Sequence, residues 1–174
     1  MLLLVSVLLM ASCGVPEPKP VIGPEHVVAG ELHGRTGAYL TLRDAASRVR
    51  IVVAGLPGLL FRISTPAGSG LAPRVTGRGG RILAALHPTG ADGPDEVRIV
   101  LNREVRWDIR LPAGAGEQRL DLARGRVTRL DLGASGLIEM RLPPPSGTVP
   151  VTFLDDVGQV RVTVADATPM RFRL

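Results

Sequence analysis

The 174-residue chain is poor in the side chains on which many protein functions depend. Cys13 is its only cysteine, so no disulfide can form within the chain. Aromatic residues make up 3% of the sequence, too few for the stacked aromatic platforms that bind single-stranded nucleic acid. We therefore expect neither a disulfide-stapled fold nor a nucleic-acid partner.

Catalytic and metal-binding motifs are also lacking. The three histidines, His26, His33 and His87, have no cysteine partner and no metal-ligand spacing. The glycines at 77–80 do not form a dinucleotide fingerprint, because no βαβ unit or helix start follows them, and a hairpin turn is expected there. No serine stands in a nucleophile-elbow pattern. We predict a non-enzymatic protein without catalytic, cofactor-binding or metal-binding residues.

Long helices are excluded by the distribution of proline. The chain has 15 prolines and 21 glycines, and prolines interrupt it too often for a helix of three turns. At most one helical turn is expected, at 45–49. Since 45% of the residues are apolar, the glycine and proline content indicates many turns in one folded domain rather than disorder.

Apolar pairs recur at a nearly constant interval between Val105 and Leu174. One polar or charged residue separates the members of each pair, which is typical of short strands with one buried face. The second members stand 10 or 11 residues apart, at Leu111, Leu122, Leu132, Leu142, Phe153, Val164 and Leu174. A regular repeat of strand and turn predicts a stacked β architecture.

The repeat length predicts which strands are neighbours. A rung of about 10 residues is too short to close a coil, because β-helix coils use about 18 residues or more. Two rungs should therefore form one coil, and each strand should stack on the strand two places later. Leu111, Leu132 and Phe153 are 21 residues apart, as this stacking requires. The expected fold is all-β and β-solenoid-like, with two facing parallel sheets.

Charged residues on the outward faces favour the same register. It places Asp108 beside Arg129 and Arg110 beside Asp131, and opposite charges side by side are favourable by roughly 0.2–1 kcal/mol per pair. The pairs expected on the second sheet are Arg119–Glu139, Asp121–Arg141 and Glu139–Arg161. An antiparallel meander would instead oppose like charges. An antiparallel β-sandwich or meander remains the alternative.

The first half of the chain carries a looser form of the repeat. Leu42 and Ile63 are again 21 residues apart. The residues expected to point inward are Leu40, Leu42, Ile51, Val53, Phe61, Ile63, Val75, Ala84, Leu86, Ile99 and Leu101. A turn-rich loop at 87–95 widens the spacing. We predict one continuous stack forming a single β-repeat domain over residues 26–174, with its first strand at 27–32.

The N-terminal segment has the character of an export signal. Residues 2–10 are almost wholly apolar and are followed by Ala11, Ser12 and Cys13. This stretch resembles the lipobox of bacterial lipoproteins, in which an aliphatic residue and two small residues precede a lipidated cysteine. The resemblance implies a signal peptide at 1–12 and a lipid on Cys13. Alternating prolines then predict a semi-rigid tether over residues 13–25.

The net charge of +5 is carried almost entirely by arginine, since Lys19 is the only lysine. A high-GC coding bias would explain the arginines without a functional role. The functional interpretation is attraction to anionic surfaces, such as lipid head groups or wall polymers. Arg78, Arg81, Arg124 and Arg126 lie in predicted turns, and we take them as candidate anion contacts.

The run from Arg119 to Leu132 resembles the toast-rack, adhesin-like class of bacterial envelope domains. Those domains stack short strands into a β-solenoid and share no catalytic residues. The resemblance implies a non-enzymatic surface domain.

Together these observations predict a lipid-anchored binding or scaffold module on the extracytoplasmic face of the cell membrane. The expected partners are the membrane, through the anchor, and an anionic wall polymer or an envelope protein. The alternative is an accessory or sensor subunit of an envelope-stress or transport system, which co-purification of a specific membrane partner would distinguish. A wall-polymer hydrolase would require a deep cleft with convergent carboxylates.

Overall fold

Thirteen strands make up the part of the chain that this computed structural model describes, residues 25–144, 147–164, 169 and 171. In chain order they are β1 (His26–Glu31), β2 (Gly37–Leu42), β3 (Ala46–Ala54), β4 (Leu59–Thr65), β5 (Leu71–Thr76), β6 (Arg81–Pro88), β7 (Glu96–Asn102), β8 (Arg106–Leu111), β9 (Ala115–Asp121), β10 (Arg126–Leu132), β11 (Ser135–Arg141), β12 (Val151–Phe153) and β13 (Val157–Thr163). The signal peptide and lipidated cysteine expected before residue 25 lie outside the described residues. Within these residues, no helix has the length and hydrophobicity needed to cross a bilayer.

The strands form two stacked sheets. Sheet A has the spatial order β1-β4-β7-β3-β9-β11-β13, and sheet B has the order β12-β10-β8-β2-β6-β5. Neighbouring strands are parallel except where β4 meets β1 and β7, and where β5 meets β6. The predicted all-β, two-sheet stacked fold is confirmed, with two reversed strands making both sheets mixed.

The second half of the chain stacks in the predicted register. Leu132 is aligned with Leu111 on one side and with Phe153 on the other. All five predicted charge pairs are in register: Asp108–Arg129, Arg110–Asp131, Arg119–Glu139, Asp121–Arg141 and Glu139–Arg161. The expected continuation to Leu174 lies outside the described residues.

The first half departs from the predicted order. Leu42 lies in β2 of sheet B and Ile63 in β4 of sheet A, so the expected stacking of these two residues is wrong. The cause is the tight turn at 55–58, where Gly58 adopts a φ of 73°. This turn returns the chain to sheet A, antiparallel to β7, instead of carrying it across to sheet B. The helical turn allowed at 45–49 is also replaced, since β3 begins at Ala46.

The inward-facing side chains of both sheets form one apolar core. Trp107 is its largest fully buried residue. Every inward position expected in the first half is buried except Val75, which is half-buried near the end of the reversed strand β5. The hairpin expected at 77–80 joins β5 to β6.

Close approach of backbones marks one column of sheet A. A Cβ atom added at Gly158 would lie 2.8 Å from the carbonyl oxygen of Gly136, and one added at Gly136 would lie 3.1 Å from that of Gly116. At Gly116 the corresponding distance, to the oxygen of Ser47, is 2.8 Å. Side chains are therefore excluded from this column unless the strands separate.

Asn102 ties two corners of the stack together. Its side-chain amide donates to the carbonyl oxygens of Leu56 at 2.9 Å and Leu59 at 2.7 Å. Its side-chain oxygen accepts from the backbone N–H of Glu104 at 2.9 Å, and its backbone oxygen accepts from the indole of Trp107 at 2.9 Å. Asn102 is only 2% exposed, so water cannot replace these partners.

Replacing Asn102 by alanine should lower the free energy of unfolding by about 1–3 kcal/mol, because two partly buried carbonyl groups lose their donors. Denaturant unfolding measures the loss. The matched control is Gln159→Ala, an exposed amide on β13, which should change stability by less than about 0.5 kcal/mol. Equal losses in the two variants would contradict the bracing role.

The charge ladder of sheet B gives a second prediction. The side chain of Asp131 accepts from Arg129 at 3.0 Å and lies 3.6 Å from Arg110. Asp131→Arg should destabilise the domain by about 1–2 kcal/mol, and adding Arg110→Asp should recover part of the loss. Recovery is partial because residue 110 also faces Asp108. A double-mutant cycle measures the coupling between 110 and 131, and zero coupling would argue against the register.

Candidate anion-binding edge

The connections that lead into sheet B share one edge of the molecule. Parallel strands within each sheet bring the ends of the sheet A strands and the starts of the sheet B strands together. The reversed strand β5 ends at the same edge. We call these connections, with the first residues of the sheet B strands, the basic edge; they comprise residues 32–37, 55–58, 77–81, 103–106, 122–126 and 142–151 with 145 and 146 excepted.

Charge is strongly one-sided there. The basic edge holds seven arginines and one acidic residue, Glu104; the arginines are Arg35, Arg78, Arg81, Arg103, Arg106, Arg124 and Arg126. The connections on the opposite edge, counted with the first residues of the sheet A strands that begin there, hold one arginine, Arg43, five aspartates and one glutamate; the acidic residues are Asp44, Asp92, Asp95, Glu96, Asp155 and Asp156. Positive and negative charges are therefore segregated to opposite edges of the stack.

The structure brings all four candidate arginines to the basic edge. Arg81 and Arg126 are the first residues of β6 and β10, and Arg78 and Arg124 lie in the turns before them. Their contact with anions stays a prediction. Three further arginines of this edge, Arg35, Arg103 and Arg106, were not anticipated from the sequence.

Arg106 could have been found from the repeat. It stands directly beside Arg126 in the parallel pair of β8 and β10, and the two residues are 20 apart in the chain. That interval is one residue shorter than the coil period of 21, because the register of this pair shifts by one residue between Val127 and Arg129. Arg35 follows β1 and Arg103 follows β7, and the repeat did not predict the neighbours of these strands. No sequence pattern therefore placed these two arginines near the other basic-edge arginines.

Ion pairing separates the basic edge from the sheet faces. The described arginines that lie within 4 Å of a carboxylate are Arg48, Arg62, Arg110, Arg119, Arg129, Arg141 and Arg161. All seven are on strands, and none belongs to the basic edge. Among the residues described, no carboxylate lies within that distance of any basic-edge arginine.

The basic-edge guanidinium groups are mostly unengaged. Arg35 is the exception, since it donates to the carbonyl oxygens of Glu31 at 3.2 Å and Leu32 at 3.4 Å. The other six are exposed and make no side-chain hydrogen bond to a described residue. Positive charge there is available to an external anion.

On the face of sheet A, in contrast, arginines are hydrogen-bonded to a carboxylate. Glu117 accepts from Arg48 at 2.7 Å and also from Arg119. These hydrogen bonds, that from Arg48 first, lower the pKa of Glu117 below its ordinary value. The bond to Glu117, followed by the charge of Glu96, raises the pKa of Arg48. The charges of the sheet faces are thus used within the protein.

Metal ligands are not gathered in the described part of the chain. No group of three or more histidine, cysteine, aspartate or glutamate side chains there is placed to hold a metal ion. His33 instead contacts Glu31, with Nε2 3.0 Å from the carboxylate.

Comparison with known proteins adds one similar structure. No family model matches the chain, and no curated protein matches its sequence. A solved structure described as a "putative cell adhesion protein", from Clostridium sporogenes ATCC 15579, aligns with a TM-score of 0.49 and 13% identity. The alignment covers 81% of this chain and 98% of that one. At this score the similarity carries no argument about function.

The basic edge should bind anionic polymers in a salt-dependent way. Reversing two charges with Arg124→Glu and Arg126→Glu should weaken binding to immobilised poly(glycerol phosphate) by at least about tenfold at low salt, because each arginine near a charged surface contributes about 1 kcal/mol. Raising the salt concentration should weaken wild-type binding. Surface plasmon resonance measures both effects.

The matched control reverses two exposed arginines elsewhere, Arg43→Glu and Arg74→Glu, and so changes the net charge equally. Its binding should fall less than about threefold. Equal losses in the two double variants would show that net charge, rather than the basic edge, determines binding.

Proposed function

We propose that this chain is a lipid-anchored, non-enzymatic binding module of the bacterial cell envelope. In this proposal Cys13 carries the lipid, the domain stands on the extracytoplasmic face of the cell membrane, and the basic edge contacts an anionic wall polymer. The observation that supports it most is the concentration of seven arginines on one edge without a carboxylate within 4 Å among the described residues.

The distribution of charge favours a binding role. Coding bias alone would not sort charge between the two edges, whereas here one edge holds seven arginines and the other holds one arginine and five aspartates. Neighbouring guanidinium groups without a carboxylate partner attract phosphate and carboxylate groups and position them by paired N–H donors. Non-enzymatic function follows from the lack of a catalytic motif in the sequence.

The entry point of the chain favours a wall polymer over lipid head groups. Strand β1 begins at His26, on the edge opposite the basic edge. Strands of six or seven residues place the two edges about 20 Å apart. A tether that joins the domain at His26 leaves the basic edge on the side away from its attachment, where it can meet polymers beyond the membrane.

Fatty-acid labelling tests the anchor. Cells that express the protein are fed an alkyne-tagged fatty acid, and the protein is purified and probed for label. The natural protein should be labelled and found in the membrane fraction, whereas Cys13→Ala should be unlabelled and released. Ser12→Ala is the matched control, because alanine is also small at that position and should leave labelling unchanged. Absence of label on the natural protein would remove the anchor from the proposal.

A further inference from the structure

One row of outward side chains crosses sheet A and concentrates arginine in its middle. The row runs perpendicular to the strands, so each member stands directly beside the next. From β4 to β13 the in-register residues are Ser64, Arg98, Arg50, Arg119, Glu139 and Arg161. We call Arg98, Arg50 and Arg119, on the adjacent strands β7, β3 and β9, the arginine row.

The arginine row breaks a rule that the sheets otherwise follow. Among the described parallel strands, seven in-register pairs of charged residues join opposite signs and three join two arginines. Two of the three like pairs form the arginine row, and the third is Arg106–Arg126 at the basic edge. Like charges directly opposite one another destabilise a sheet. Local violations of this kind are expected at functional sites.

Two members of the row are open to a ligand. Arg119 donates to Glu117 and lies 3.6 Å from Glu139, so its charge is partly used. Arg50 and Arg98 are exposed, and among described residues neither has a carboxylate within 4 Å or a side-chain hydrogen bond. Their strands are neighbours, which sets the two side chains about 4.8 Å apart at their origins.

We propose that Arg50 and Arg98 together bind one oxyanion, a phosphate or sulfate group, on the outward face of sheet A. Each guanidinium group presents parallel N–H donors that match the oxygens of such a group, and two adjacent groups supply a double positive charge. The bound anion also relieves the repulsion between the two arginines.

Space for the remainder of a ligand lies beside the pair. A shallow depression of about 370 Å³ extends from Arg50 across β9 and β11 to β13. Its charged lining residues are Arg50, Arg119, Asp121, Glu139, Arg141 and Arg161. This face is separate from the basic edge, so the inference does not depend on the proposed function.

Thermal unfolding in phosphate tests the site. Because the folded protein alone holds the anion, inorganic phosphate at about ten times its dissociation constant should raise the Tm by about 2–5 °C over chloride of equal ionic strength. Phosphate also stabilises proteins in general by exclusion from their surface. The comparison therefore uses Arg74→Gln, an exposed arginine on β5 of the other sheet, as the matched control.

The phosphate-dependent rise should be retained in Arg74→Gln and reduced to less than half in Arg50→Gln. Arg98→Gln should repeat the loss, and it replaces Arg50→Gln if that variant does not fold. The double variant Arg124→Glu, Arg126→Glu should keep the full rise, which separates this site from the basic edge. Equal rises in wild type, Arg50→Gln and Arg98→Gln would overturn the proposal.

The source of the anion is resolved by a second ligand. Poly(glycerol phosphate) is titrated in place of inorganic phosphate, with the basic-edge double variant as the protein so that the basic edge contributes less to binding. A rise that Arg50→Gln removes assigns the site to a phosphodiester chain. A rise with inorganic phosphate alone assigns it to the free ion. No Arg50-dependent rise with either probe would leave no oxyanion site on this face.

Discussion

Direct in-register stacking of strands is the constraint on which this fold depends, and in the second half of the chain the stacked strands are two places apart. Neighbouring strands lie about 4.8 Å apart, so each outward side chain stands beside the in-register side chains of the adjacent strands. At the glycine column the backbones come so close that a single Cβ at Gly158 would stand 2.8 Å from a carbonyl oxygen. In the second half the coil period stays near 21 residues, and an insertion within a strand would move apolar side chains to the wrong face.

The same stacking decides where charge can be used. On the sheet faces an arginine has in-register partners, and seven such pairs of opposite sign neutralise one another. At the basic edge the connections contact one another through backbone hydrogen bonds, such as that from Leu32 to Gly58 at 2.9 Å, but no described carboxylate lies within 4 Å of an arginine there. Arginines placed in the connections therefore keep their charge for other molecules. The arginine row is the exception on a sheet face, because Arg50 stands in register with two other arginines. For this reason we propose that it binds an anion.

The second half of the structure was predictable from the sequence, because each of its strands repeats the last with a fixed interval. The 21-residue interval predicts that Leu111 stacks on Leu132, and the pairs of opposite charge in the same register agree with it. The first half was not, because one turn at 55–58 changes the sheet to which β4 belongs. The role of Asn102 could not be predicted either, because its side chain bonds to Leu56 and Leu59, which are 46 and 43 residues away in the chain. Four of the basic-edge arginines were selected because turns expose them, while Arg35 and Arg103 required the three-dimensional strand order.

The position of β2 and β3 has a consequence for how the chain is assembled. These strands come early in the sequence, yet β6 and β7 lie on one side of them and β8 and β9 on the other. Strands β6 and β7 enter between strands that precede them in the chain, β6 between β2 and β5 and β7 between β3 and β4, whereas each strand from β8 to β13 joins an edge that is still free when it arrives. Once β6 and β7 are in place, the second half of the stack can therefore grow outward from β2 and β3, one strand at a time in chain order.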